Sequence, residues 1–340
     1  DMVGPLTAAI TNLAVVLLAW ALPRLAPVVR HHQRTWMRHR RGVRPTLWAL
    51  APAALIALLA LSPLSVWSGL RAAPSTIAGA PAVAVAPVPT AALGVRSRAV
   101  VMPAAAGYQL VVNGRTTLLH GIGYNTVTTN LPPPERSARL RRDFQAIAAT
   151  GFNAVLGWDE REFDDTLLQE AASAGLGVVA PFSLSPKLDY GDAKVRTALL
   201  EQIATWVQRH RDAPALWMWG LGNEVVHGID DIRSARATAF ASFLVEAADV
   251  VHRLDPDHPV MYRDAEDAYL APVAAALQAG PRRTWFVYGM NFFSFRIGDA
   301  LAKGPTATLG QPLVISEFGP AGLTASARPA GYVRQWDLLR

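Results

Sequence analysis

Along these 340 residues the rhythm of apolar positions changes from region to region, and each change predicts a different element. Residues 2–23 and 45–70 carry no charged side chain. Each run exceeds the roughly 18–20 apolar residues that cross a bilayer as a helix. Between them stand Arg24, Arg30, Arg34, Arg38, Arg40, Arg41 and Arg44, with His31, His32 and His39 interspersed. Short Arg-rich loops stay on the cytoplasmic side. The pattern therefore predicts a transmembrane helical hairpin over residues 1–71, with everything from about Arg71 onward outside the cytoplasm. A signal-peptide core is the alternative for the first run; the second span and a start without a basic residue weigh against it.

Residues 72–107 are rich in Ala, Pro and Val, lack acidic residues and show no period. They read as an extended linker. From residue 108, polar and apolar positions alternate around Asn113-Gly114, a dipeptide suited to the two positive-φ positions of a tight hairpin. This hairpin is expected to floor a barrel. Beyond it, short apolar runs alternate with segments of helical period, which indicates a parallel α/β sheet. Strands are predicted at 118–124, 152–157, 177–182, the apolar run opening residues 215–225, 259–263, 285–290 and 313–316. Helices are predicted at 135–150, 163–174, 192–210, 234–254, 268–279 and 327–339. In the first, Leu140, Phe144 and Ile147 share one stripe and Arg136, Arg139, Arg142 and Asp143 lie off it.

The order gives a (β/α)8 TIM-type barrel over residues 108–340, with seven strands present. Glu224 and Glu317, at the ends of the fourth and seventh strands, are 93 residues apart, or 31 per strand–helix unit. Eight units in about 250 residues average about 31. No eighth strand follows, and the chain starts at Asp1, so the sequence reads as a fragment. Its barrel is expected to be open between the seventh strand and the first.

Charge sharpens this division. The net charge of +6 comes from residues 1–71, where eight Arg face the single acid Asp1. The remainder has 24 basic and 25 acidic residues, so the large domain carries no general nucleic-acid footprint. Cysteine is absent, which excludes disulfides and thiolate metal sites. No histidine spacing suggests a metal, and no Gly-rich loop is placed to cradle phosphate.

The candidate chemistry lies where two apolar runs stop. Residues 215–225 read Ala-Leu-Trp-Met-Trp-Gly-Leu-Gly-Asn-Glu-Val, and residues 312–319 read Pro-Leu-Val-Ile-Ser-Glu-Phe-Gly. Parallel strands covered on both faces are almost continuously apolar, and catalytic groups of such barrels sit just past their C-terminal ends. Two carboxyls on one rim suit glycosidic cleavage: one protonated to assist the leaving oxygen, one ionised to attack the anomeric carbon or activate water. A separation of roughly 5–5.5 Å gives a covalent intermediate and retention, and a wider one gives inversion. Periodicity does not say which Glu plays which part.

Gly222-Asn223-Glu224 after one strand and Ser316-Glu317-Phe318-Gly319 after another resemble clan A of the glycoside hydrolases. Within the clan, the resemblance is to the barrel of family 2, the β-galactosidase and β-glucuronidase group. Val112-Asn-Gly-Arg115, Leu119-His-Gly-Ile-Gly-Tyr-Asn125, Gly151-Phe-Asn-Ala-Val155 and Leu254-Asp-Pro-Asp-His-Pro-Val260 extend it over about residues 108–340. The resemblance implies that Glu224 is the acid/base, Glu317 the nucleophile, and Asn223 a ligand of the sugar 2-hydroxyl. It also implies that Tyr288 hydrogen-bonds the nucleophile, and that retention proceeds without metal or cofactor. Two departures matter. The Arg that the family usually carries after the second strand is replaced by Leu156-Gly-Trp-Asp159, leaving Arg263 as a candidate substitute. The β-sandwich domains that precede the barrel in most members give way to the apolar hairpin and linker.

Other rim positions carry two readings each. Trp158 suits a sugar-stacking platform or ordinary packing, and Asn125, Asp159 and Asn291 suit substrate binding or loop capping. Trp217, Met218 and Trp219 read as core, and His120 and His227 as satisfied polar residues. The expected function is a membrane-anchored retaining glycoside hydrolase acting outside the cytoplasm on a β-linked oligo- or polysaccharide. A transglycosylase on the same carboxylates, or a non-catalytic carbohydrate-binding part of a membrane polysaccharide assembly, are the alternatives.

Overall fold

The computed structural model describes residues 95–105, 107–229 and 231–339. The predicted transmembrane hairpin and most of the predicted linker lie outside the described residues. Among the described residues no helix is long and apolar enough to cross a membrane.

Strands β1 (Ala99–Ala104), β2 (Gly107–Val112) and β3 (Arg115–Thr117) form an antiparallel sheet. The turn between β2 and β3 is made by Asn113 and Gly114, at φ 50° and 79°, as an Asn-Gly hairpin requires. The linker prediction ran too far, because residues 99–104 pair along the whole of β2. Pro103 obscured this strand; it is tolerated because β1 is an edge, where a missing N–H costs no ladder bond. Val101 and Leu110 pack against Leu156, Val179, Met218, Met261 and Val287, the apolar plug inside the barrel. The small sheet is thus the barrel floor.

The barrel strands are β4 (Gly121–Gly123), β5 (Ala154–Leu156), β6 (Gly177–Phe182), β7 (Leu216–Asn223), β8 (Val260–Ala265), β9 (Phe286–Phe292) and β10 (Leu313–Phe318). Each pairs in parallel with the next. The predicted helices are present as α1 (Pro133–Ala149), α2 (Asp165–Ser173), α3 (Ala193–His210), α4 (Ala235–Leu254), α5 (Ala271–Gln278) and α8 (Arg328–Asp337). Two short helices, α6 (Ile297–Ala302) and α7 (Pro305–Leu309), occupy the β9–β10 connection, where none was predicted. Gly304 and Pro305 interrupt any readable helical period there. Starts follow local chemistry: Asp164, Asp192 and Ser234 accept backbone N–H groups at the first turns of α2, α3 and α4.

The barrel is nearly closed by seven strands, with β4 and β10 at the ends of the strand order. Trp336 of α8 bridges these ends, its ring 6.0 Å from His120 just before β4 and 6.4 Å from Phe318 at the end of β10. His120 is not the satisfied polar residue expected, since its buried Nε2 has no hydrogen-bond partner among the described residues.

At the base, fully buried Asp255 receives Arg96 Nη2 at 2.7 Å and Trp219 Nε1 at 2.8 Å. His258 Nδ1 is 2.7 Å from the same carboxylate, and its Nε2 is 3.1 Å from Ser97 Oγ. Ser97, His258 and Asp255 are aligned like a hydrolytic relay, yet each is at most 1% exposed. No substrate reaches them; they fasten the segment before β1 to the foot of the barrel.

Candidate active site

Strand alternation decides which side chains reach the cavity. Along β9, Phe286, Tyr288, Met290 and Phe292 pack outward in the layer shared with the helices, while Val287 joins the inner plug. Asn291 has Val287's parity and faces in. On β8, Tyr262 faces out and Met261 in, so Arg263 also faces in. A Cβ on Gly289 would lie 2.6 Å from Ser316 Oγ and 2.7 Å from Arg263 Cβ. Only glycine leaves room at that point for both side chains. On β10 the pairing with β9 slips between Ile315 and Glu317. This bulge lets consecutive residues, Ser316 and Glu317, both reach inward.

Glu224 and Glu317 meet at Asn291. Asn291 Nδ2 lies 3.0 Å from Glu224 Oε1, 3.2 Å from Glu317 Oε1 and 3.1 Å from Asn223 Oδ1. Two oxygens at 3.0 and 3.2 Å from one atom are at most about 6.2 Å apart. Ser316 Oγ donates to Asn291 Oδ1 at 2.7 Å, which fixes the orientation of the amide. Asn223 Oδ1 also accepts from Arg263 Nε at 2.7 Å. Its own Nδ2 has no acceptor among the described residues and remains available to a ligand.

Arg263 is the cation of the site. Its Nε is 3.1 Å from Glu317 Oε1, its Nη2 donates to Gly157 O at 2.5 Å, and it is 1% exposed. Burial lowers its pKa to about 10, against the opposing pull of Glu317 and Glu224. It is charged at neutral pH. Burial pushes the Glu317 carboxyl above the ordinary carboxylate range. The Arg263 charge opposes that rise, Glu224 adds to it, and hydrogen bonds from Trp158 and Asn291 oppose it.

Trp158 is therefore part of the site: it lies under Arg263, whose Cζ is 5.2 Å from the ring centroid, and it acts to lower the Glu317 carboxyl. His227, read from sequence as a satisfied polar residue, places Nδ1 3.5 Å from Glu224 Oε2 and packs on Tyr269. Tyr288 requires correction. It lies in the outer layer against Tyr262, and its buried hydroxyl has no hydrogen-bond partner among the described residues, so it makes no bond to Glu317. Its even position in the alternation of β9 turns it to the helices. Asp159 is held by Arg161 at 2.7 Å, and Asn125 is exposed; neither joins the cluster. Asn291 and Arg263 are polar residues inside otherwise apolar runs, and that is the signal by which sequence marks them. Among the described residues no group of three or more His, Asp or Glu is arranged to hold a metal ion.

Comparison with known proteins supports the same architecture. The family model described as glycosyl hydrolases family 2, TIM barrel domain, matches residues 162–337. No curated protein matches the sequence. Among solved structures, a β-glucuronidase of Bacteroides uniformis is 14% identical with a TM-score of 0.54, over 68% of this chain and 30% of its own. The β-D-glucuronidase of Dictyoglomus thermophilum is 15% identical with a TM-score of 0.53, over 71% of this chain and 44% of its own. At such identities the likeness is one of fold. The chain spans less than half the length of these structures.

Proposed function

The chain belongs to glycosyl hydrolase family 2, and on that premise we propose that it cleaves β-linked oligo- or polysaccharides with retention. The observation that carries this reading is the shared contact of Glu224 and Glu317 with Asn291, which keeps their facing oxygens within about 6.2 Å. That spacing suits direct attack better than a gap wide enough for water. Glu317 attacks the anomeric carbon while Glu224 gives its proton to the departing oxygen. The glycosyl ester on Glu317 then yields to water, whose proton returns to Glu224. Arg263, Trp158 and Asn291 stabilise Glu317 as an anion before attack, and Asn223 offers its amide to the sugar. Arg263 thus serves from the fifth barrel strand the purpose that the family's usual second-strand Arg serves elsewhere.

The test is direct. The full chain, given an aryl β-glycoside, releases the β-anomer first, as read by NMR; an α-anomer or no release ends the proposal. In Glu224→Ala, kcat/KM for a glycoside with a poor leaving group falls by roughly 10²–10⁴-fold, the usual worth of general acid catalysis. A dinitrophenyl glycoside, which needs no proton, loses far less. Added azide accelerates this variant by intercepting the glycosyl ester. Equal losses on both substrates would remove Glu224 from its role.

The same proposal places the enzyme at a membrane with its barrel on the extracytoplasmic side. Support comes from the uncharged runs at 2–23 and 45–70 and the Arg-rich segment between them. The full chain is expected in the membrane fraction after alkaline carbonate washing, and its barrel to be cut by protease added outside intact cells. Release by carbonate would refute anchoring.

A further inference from the structure

We propose that Asp264 is the positioning residue for Glu224: it holds the left-handed turn that aims this carboxyl into the cavity. The proposal rests on Glu224 being the acid/base of the reaction above. Glu224 has φ +51°, a region sparsely populated by residues other than glycine. Such a conformation persists only where surrounding contacts over-determine it.

Those contacts come from β8. Glu224 N–H donates to Arg263 O at 2.9 Å. Two residues on, Val226 N–H donates to Asp264 Oδ2 at 3.0 Å, and His227 N–H donates to Oδ1 at 3.2 Å. Ala265 N–H adds a bond to Oδ1 at 2.7 Å, and the Tyr262 hydroxyl donates to Oδ2. Asp264 is fully buried and shares the outward parity of Tyr262 on β8. Burial lifts its carboxyl to about 6, and these donors oppose the rise. The titratable neighbours that face it are the hydroxyls of Tyr262 and Tyr288. Adjacent residues of one strand thus serve the two carboxyls separately: Arg263 inward to Glu317, Asp264 outward to the turn of Glu224.

A purely structural Asp264 would affect all substrates alike, whereas a misaimed acid harms only substrates that need a proton. In Asp264→Asn of the full chain, kcat/KM for a methyl or glycosyl leaving group is expected to fall by roughly 100-fold, the scale of a 1 Å misplacement. The dinitrophenyl glycoside should change by less than about 3-fold, the same skew that Glu224→Ala gives. Tyr262→Phe removes a donor to Oδ2 and also the hydroxyl that accepts from Val226 N–H at 3.1 Å, keeps the carboxylate and should show a weaker skew of the same sign; it carries the test if Asp264→Asn does not fold. A uniform loss or no loss in these variants, with the skew present in Glu224→Ala, overturns the positioning role alone. Loss of the skew in Glu224→Ala itself overturns both readings.

Discussion

Glu317→Ala is expected to lower kcat/KM for an aryl β-glycoside by roughly 10⁴-fold or more, equivalent to about 5.5 kcal/mol of transition-state stabilisation. The effect is large because, among the described residues, Glu317 is the one carboxyl ion-paired with Arg263 on its side of Asn291. Glu224 stands across Asn291, and in the proposed mechanism it handles the proton. Truncation also strands Arg263, a buried cation whose Nε lies 3.1 Å from the missing oxygen. Glu317→Gln, which preserves the shape, should be folded and equally inactive, separating chemistry from stability. Azide added to Glu317→Gly should yield the α-glycosyl azide, since attack then comes from the face the carboxylate left open. Unchanged turnover in Glu317→Gln would refute the nucleophile assignment.

Arg263→Ala is expected to be the most damaging change that leaves both carboxyls in place. Removing one partner of a buried pair costs about 3–5 kcal/mol, and here Gly157 O and Asn223 Oδ1 also lose a donor. Urea unfolding reads that cost. The rate effect has a definite sign. Glu317 is already raised by burial, and Arg263 acts to lower it. Without the guanidinium the carboxyl rises further, so the acid limb of kcat/KM moves to higher pH and less of the nucleophile is ionised at neutrality. Arg263→Lys keeps the charge but not the fork that spans Glu317, Asn223 and Gly157. It should restore the acid limb more fully than the rate. An acid limb that stays in place in Arg263→Ala would show that the pair does not set the ionisation of Glu317.

The two glutamates were legible because each ends a run that is otherwise apolar, and a charge at that point has no packing explanation. The strand–helix alternation was legible for a related reason: helices carry a polar face, and the buried strands do not. That uniformity hides parity. In Phe286–Phe292 six of seven residues are apolar or glycine, so nothing local announces that Tyr288 turns to the helices. Asn291 itself was the clue, as the amide in that run. The bulge at Ser316 left no mark in the sequence, because it depends on register with β9. Strand β1 was lost among prolines and alanines, since its partner, not its composition, makes it a strand. The clamp of Asp264 on the Glu224 turn joins residues 38 positions apart, and no spacing rule connects them.

Asn291 carries one consequence further. Its amide nitrogen has two hydrogens and three oxygen neighbours within 3.2 Å. One acceptor must always go without. In the proposed mechanism the anionic Glu317 makes the strongest claim before attack; once it is esterified that claim weakens, and Glu224, then deprotonated, inherits the donor. The side chain therefore need not move to follow the charge from one half of the cycle to the other. An amide ¹⁵N resonance of Asn291 that is identical in the resting enzyme and in a trapped glycosyl ester would contradict this handover.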